Sequence, residues 1–202
     1  MLEQWYEILK QSKLFDDISM QDIKTMLECL APRMASYKKG EIAARFAEPM
    51  EGLGILVEGC LAVQKENTDG ARMIIHMLKP GEMFGEMALF AEDRMWPATI
   101  AVQEDSTILF IPPDKIVGRC FQACSFHRQM TTNMLKIVSE KAIHLNRKVK
   151  FLSIKGMREK LCTYFWELYE RNGKNIFLLP MNRTELADFL NVSRPSMSRE
   201  MC

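Results

Sequence analysis

The hydrophobic period of this chain changes at Pro112-Pro113, and that change constrains the fold more than any other feature. From about residue 37 to 111, short apolar runs alternate with glycine turn signals at Gly40, Gly59, Gly70, Gly81 and Gly85. Ile55-Leu56-Val57, Glu58-Gly59 and Cys60-Leu61-Ala62-Val63 read as strand, tight turn and strand. Asp69-Gly70 is a second hairpin signal ahead of Met73–Leu78, and Thr99–Val102 and Thr107–Ile111 read as two more strands. Short strands at roughly ten-residue spacing predict an antiparallel barrel or roll. Two helical stretches precede this block. Trp5, Ile8 and Leu9 share one face, Ile23, Met26, Leu27 and Leu30 repeat the pattern, and Ser19 is placed to cap the second helix ahead of Asp22.

After Pro113 the period becomes helical. Leu135, Val138, Ala142, Leu145, Val149 and Leu152 form a narrow heptad seam flanked by Lys136, Glu140, Lys141, Arg147 and Lys148. Such a seam either lies along the core of its own domain or pairs with a second copy. The charged flanks favour the pair, so these six residues are the expected dimer interface. Ser153–Gly156 interrupts the helix. Met157, Leu161, Phe165 and Leu168 then mark another helix, stopped at Asn172-Gly173, and Ile176–Leu179 is a short apolar run closed by Pro180.

Residues 181–202, MNRTELADFLNVSRPSMSREMC, carry the most specific pattern. Asn182 and Glu185 fit a capping box, and Leu186, Phe189 and Leu190 give an apolar side on which Ala187 permits a close crossing. Asn191 suits a left-handed helix end, Val192 plugs the turn, and Ser193 caps a second helix with Pro195 in its first turn. This is a helix-turn-helix. Met197 and Met201 are expected to face inward, leaving Arg194, Pro195, Ser198 and Arg199 outward, where arginines suit guanine edges in a major groove. Arg183 and Ser193, at helix N-termini, suit phosphates. The chain stops inside this second helix, so a longer natural chain is expected.

Charge follows the same division. Residues 1–113 hold 11 Lys/Arg and 18 Asp/Glu, whereas residues 114–202 hold 16 and 8. Most of the basic excess lies at 124–152, so the grip of the helix-turn-helix on DNA must come from placed arginines. No apolar run approaches the about 18 residues of a membrane helix, and the N-terminus MLEQWYEILK lacks a signal-peptide pattern, so a cytoplasmic protein is expected. None of the six cysteines forms a C-x-x-C pair; Cys120 and Cys124, four apart, read as core residues before a redox or metal pair. The sequence shows no nucleophile–base–acid set, no metal-ligand cluster and no nucleotide-hydrolase phosphate loop, so an enzyme is not expected.

The chain resembles the cyclic-AMP receptor protein/FNR (CRP/FNR) family of bacterial transcription regulators. The resemblance rests on SYKKGEIAARFAEP, GLGILVEGCLAV and GEMFGEMALF in the first half and on RTELADFLNVSRPSMSRE in the last segment. It implies an α+β architecture: an effector-sensing, cyclic-nucleotide-binding-like jelly roll with N-terminal helices over 1–113, a dimerisation helix over 114–153, and a winged helix-turn-helix from 154, incomplete at residue 202. It also implies homodimers on palindromic promoter DNA, with RNA polymerase as partner. Arg194, Pro195 and Arg199 then occupy base-reading positions, although Pro195 replaces the acidic residue of the cyclic-AMP receptors.

In that family a Gly-Glu opening cradles the nucleotide phosphate and ribose, and an Arg-Ser or Arg-Thr pair about ten residues on neutralises the phosphate. Here Gly85-Glu86-Met87 keeps the opening, but the pair reads Trp96-Pro97, with Arg94 two residues away. Ala142 and Ile143 stand where the family's dimer helix offers hydroxyls to adenine. Burying a phosphodiester without a cation costs several kcal/mol, so cyclic AMP is not the expected effector. An iron–sulfur cluster lacks its N-terminal cysteines, and none of His76, His127 and His144 adjoins the Gly85-Glu86 segment as a haem ligand. Trp96 and Met87 would line a dry pocket for an apolar molecule, and no motif names the effector. The reading is therefore an effector-controlled dimeric DNA-binding regulator. A stand-alone ligand-binding module and a cysteine-based redox regulator are the alternatives, and the helix-turn-helix argues against the first.

Overall fold

The computed structural model describes residues 3–66, 72–117 and 125–202 and divides into two compact units, Met1–Val138 and Ser139–Cys202. The first unit opens with α1 (Tyr6–Lys10) between two short 3-10 turns, then α2 (Met20–Leu30). Ser19 caps α2 as its spacing predicts, accepting from the Asp22 N–H at 3.2 Å, and Ile23, Met26, Leu27 and Leu30 form the buried face.

Among the described residues eight strands follow: β1 (Arg33–Tyr37), β2 (Ile42–Ala44), β3 (Leu53–Glu58), β4 (Leu61–Glu66), β5 (Arg72–Leu78), β6 (Met83–Phe84), β7 (Thr99–Val102) and β8 (Ser106–Ile111). They build two antiparallel four-stranded sheets, β1-β8-β3-β6 and β2-β7-β4-β5, which is the expected roll. β3 is apolar from Leu53 to Val57 because both faces of that stretch are covered. Leu53, Ile55 and Val57 join the core under the helices, while Leu56 joins the core that holds Phe84, Trp96, Ile108 and Phe110.

One strand reading is corrected. Glu58-Gly59 does not close a hairpin between β3 and β4, because the two strands lie in different sheets. The turn is a corner at which the chain crosses between sheets. Gly59 is left-handed (φ 89°), and a Cβ there would run into the Ser106 hydroxyl and the Asp105 carbonyl. Ser106 fixes the corner by accepting from the Cys60 N–H at 3.2 Å and donating to the Glu104 carbonyl at 2.7 Å. Asp69-Gly70, Cys120 and Cys124 fall outside the described residues, but the strands flanking Asp69-Gly70 do pair, from Leu61 with Leu78 to Glu66 with Arg72.

α3 (Pro113–Val117) and the 29-residue α4 (Ser125–Ser153) complete the helical switch after Pro112. In the first unit, the buried Asn133 side chain of α4 donates to the Leu14 carbonyl at 3.0 Å and the Asp16 carbonyl at 2.7 Å, and accepts from Gln129 at 2.9 Å. Asn133→Ala leaves the buried Leu14 carbonyl and the part-buried Asp16 carbonyl without their donor, for an expected loss of about 1–3 kcal/mol. Urea unfolding reads it directly; an unshifted midpoint would mean these bonds do not tie the N-terminal turn to α4.

The second unit holds the C-terminal half of α4 with α5 (Met157–Asn172), α6 (Arg183–Leu190) and α7 (Arg194–Glu200). Phe151, Leu161, Tyr164, Leu168, Leu186, Phe189, Leu190 and Met197 form its core. α5 stops at Gly173 in the left-handed region, as Asn172-Gly173 predicts. Its buried face runs through Lys160, Leu161, Tyr164 and Leu168, one position away from the expected Phe165, which is half-buried.

Candidate nucleic-acid interface and sensor segment

The local chemistry of residues 181–202 fixes the α6–turn–α7 pair. Asn182 accepts from the N–H groups of Thr184 and Glu185 at 2.9 and 3.0 Å, and Glu185 returns the bond to the Asn182 N–H at 2.9 Å. Asn191 ends α6 in the left-handed region (φ 52°), and Val192 sends its N–H back to the Ala187 carbonyl at 3.0 Å while packing on the core. Ser193 caps α7, accepting from the Ser196 N–H at 3.3 Å and donating to the Ser196 hydroxyl at 2.7 Å. Met197 is fully buried and Met201 half-buried. Arg183, Ser193, Arg194, Pro195 and Arg199 are exposed, and Ser198 is half-buried. Arg199 donates to the Ser196 hydroxyl at 3.4 Å, which steers its guanidinium along the exposed side of α7.

Two contacts behind α7 escape the sequence. The Lys160 ammonium is buried and donates to the Leu190 carbonyl at the end of α6 at 2.7 Å, neutralising the negative end of that helix. Arg158 holds Glu200, the last residue of α7, at 2.5 Å. The spacing of Lys160 with Leu161, Tyr164 and Leu168 is the signal that marks it as inward. A lysine on an apolar face reads by default as a solvated neighbour.

The seam of α4 is exposed. Leu135, Leu145 and Val149 keep 64%, 52% and 52% of their surface open to solvent, Ala142 and Leu152 are exposed, and Val138 is half-buried. Val138 packs on the core of the first unit, and the other five seam residues are left open to solvent.

The sensor segment differs from the expected pocket. Gly85–Phe90 is a run of turns, with the Leu89 N–H bonded to the Gly85 carbonyl at 3.0 Å. Gly85 is left-handed (φ 91°), and a Cβ there would stand 2.7 Å from the Met50 methyl and 2.8 Å from the Trp96 ring. Trp96 (5% exposed) packs with Phe84 between the sheets at 5.7 Å, whereas Met87 (59% exposed) faces solvent. The two do not form the walls of one dry pocket. Trp96 fills the interior, because its ring prefers the apolar core and its backbone pairs with 47–48. Glu86 is buried, Arg94 and Pro97 are exposed, Arg94 is left-handed (φ 44°), and Ala142 belongs to the second unit. Trp96→Ala removes this plug, with an expected destabilisation of about 3–5 kcal/mol. Thermal unfolding checks it, and an unchanged midpoint would show that Trp96 is not a packing residue.

Residues 34–122 match the family description of the cyclic nucleotide-binding domain, and residues 159–202 match that of the Crp-like helix-turn-helix domain. The anaerobic regulatory protein of Bacillus subtilis is 23% identical over 194 residues, 91% of this chain and 77% of that protein. Transcriptional activator protein FnrA of Stutzerimonas stutzeri is 24% identical over 187 residues, 90% of this chain and 74% of that protein. The chain belongs to the CRP/FNR family. It is a CRP/FNR-type DNA-binding transcription regulator, with a cyclic nucleotide-binding domain and a helix-turn-helix. Its fold matches the Thermus thermophilus catabolite activator protein with a TM-score of 0.61 at 18% identity, covering 94% of this chain and 85% of that one. The indole of Trp96 stands over the Gly85 turn. Among the described residues, no helix is long and apolar enough to cross a membrane, and no group of three or more His, Cys, Asp or Glu could hold a metal ion.

Proposed function

We propose that this regulator works as a homodimer in the cytoplasm, with a sensor over 1–113, a dimer helix over 114–153 and a DNA-reading part from 154. α4 pairs with the same helix of a second copy along Leu135, Val138, Ala142, Leu145, Val149 and Leu152. α7 enters the major groove of promoter DNA with Arg194, Pro195, Ser198 and Arg199 at base edges, and Arg183 and Ser193 lie against phosphates. A small effector other than cyclic AMP acts on the segment around Gly85, Glu86, Met87, Arg94, Trp96 and Pro97. Effector binding shifts the population of α4 orientations and so the spacing of the two reading helices, and RNA polymerase is the partner on DNA. The protein has no catalytic role in this reading.

The carrying observation is α7 itself. It is capped by Ser193 and anchored by the buried Met197, with both arginines outward. The sensor reading is supported by Trp96, whose ring occupies the space over Gly85 and supplies no charge for a phosphodiester. Titration calorimetry of the full-length protein with cyclic AMP is expected to show no saturable heat at sub-millimolar ligand. Saturable binding in that range would overturn the assignment of Trp96-Pro97.

A further inference from the structure

Arg147 of α4 lies among three aromatic rings from three helices. Its guanidinium stands 5.8 Å from the ring centre of Phe151 on α4, 5.3 Å from Tyr164 on α5 and 5.3 Å from Phe189 on α6. The rings also pack on one another, at 5.2 Å for Phe151–Phe189 and 6.1 Å for both Phe151–Tyr164 and Tyr164–Phe189. Arg147 Nε donates to Glu167 Oε2 at 2.8 Å, and Lys150 Nζ takes the other carboxylate oxygen at 2.8 Å. One turn earlier, His144 packs on Phe189 at 5.8 Å.

Surface ion pairs contribute little, because water solvates both partners. This pair is different: the side chains of Arg147 and Glu167 keep only 17% and 16% of their surface exposed. Burial by itself would raise the Glu167 carboxyl, but hydrogen bonds from Lys150 and Arg147 outweigh it and hold the group below the ordinary carboxylate range. A planar guanidinium can stack on rings and donate in its own plane at once, which an ammonium cannot do. Phe189 belongs to the first helix of the helix-turn-helix, so the cluster joins α4 directly to the element that carries α7.

We propose that Arg147 is a positioning residue for DNA reading: it clamps the C-terminal half of α4 to the helix-turn-helix, so that α6 and α7 turn with α4. The proposal rests on the reading above that α7 contacts bases. Without the clamp the reading helices are still folded, but their orientation must be ordered at each specific docking, which weakens sequence-specific binding. Non-specific binding, held by phosphates alone, needs no such register.

Two measurements on the full-length protein test it. In hydrogen exchange, Arg147→Gln is expected to speed the amides of 144–153 by about tenfold while those of α6 and α7 keep their protection. Unchanged exchange over 144–153, or lost protection throughout α5–α7, would overturn the clamp. In anisotropy titrations, the probes are a duplex selected from a random pool by the unsubstituted protein and an unselected duplex of equal length. The ratio of the two affinities is expected to fall about tenfold in Arg147→Gln. It should fall less in Arg147→Lys, which keeps the ion pair without the flat stack, and stay unchanged in the charge-matched Lys148→Gln. An unchanged ratio in Arg147→Gln overturns the proposal. If the unsubstituted protein selects no sequence, the base-reading assignment fails instead, and the exchange data still decide the clamp.

Discussion

Replacing Arg194 and Arg199 together by alanine in the full-length protein is expected to abolish sequence-specific DNA binding and leave the helix-turn-helix folded. Each arginine that pairs bidentately with a guanine is worth about 1–3 kcal/mol of discrimination. A dimer presents each of them twice, so the double replacement removes at least about 4 kcal/mol, roughly a thousandfold in affinity. That is comparable to the whole gap of about 4–10 kcal/mol between specific and non-specific binding. The fold is spared because both side chains are exposed, while Ser193, Met197 and the Arg158–Glu200 pair hold α7 and the Lys160–Leu190 bond holds the end of α6. Anisotropy titration against a selected duplex measures the effect, and an unchanged affinity would remove α7 from the base-reading role.

Introducing charge on the α4 seam should have a comparable effect by a different route. Leu145→Arg with Val149→Arg places two cations in the middle of the proposed pairing face, on a helix region that already carries six basic residues and one acidic residue over 124–152. The apolar burial at these positions, about 1.5–3 kcal/mol per side chain in each copy, is lost, and like charges meet across the seam. The expected product is a folded monomer, because both residues are more than half exposed within the single chain. Sedimentation equilibrium reads the mass and circular dichroism the fold. A persistent dimer with this double substitution would place the interface elsewhere.

Much of this molecule was legible from spacing, where local rules dominate. The capping box of Asn182 and Glu185, the left-handed Asn191, the cap at Ser193 and the inward Met197 all follow from backbone chemistry within four residues, and the structure has each of them. Long-range pairing was less legible. Glu58-Gly59 carries the same dipeptide signal whether the chain folds back on its own sheet or crosses to the other, and the long-range pairing of β3 with β8 and of β4 with β7 distinguishes the two. β2 and β6, at three and two residues, are too short to show a period. Trp96 was visible as a missing cation, but its place inside the roll depends on Phe84 and Met50, which are distant in sequence. Arg147 read as a charged flank of the seam, since the three rings around it come together only in the folded chain.

Selection of duplexes from a random-sequence pool by the full-length protein, followed by sequencing, tests the central claim most directly. A dimer that reads DNA through two α7 helices predicts an enriched inverted repeat, its half-sites about one helical turn apart, lost when Arg194 and Arg199 are replaced. An unenriched pool, or a single asymmetric site that survives those replacements, would contradict it.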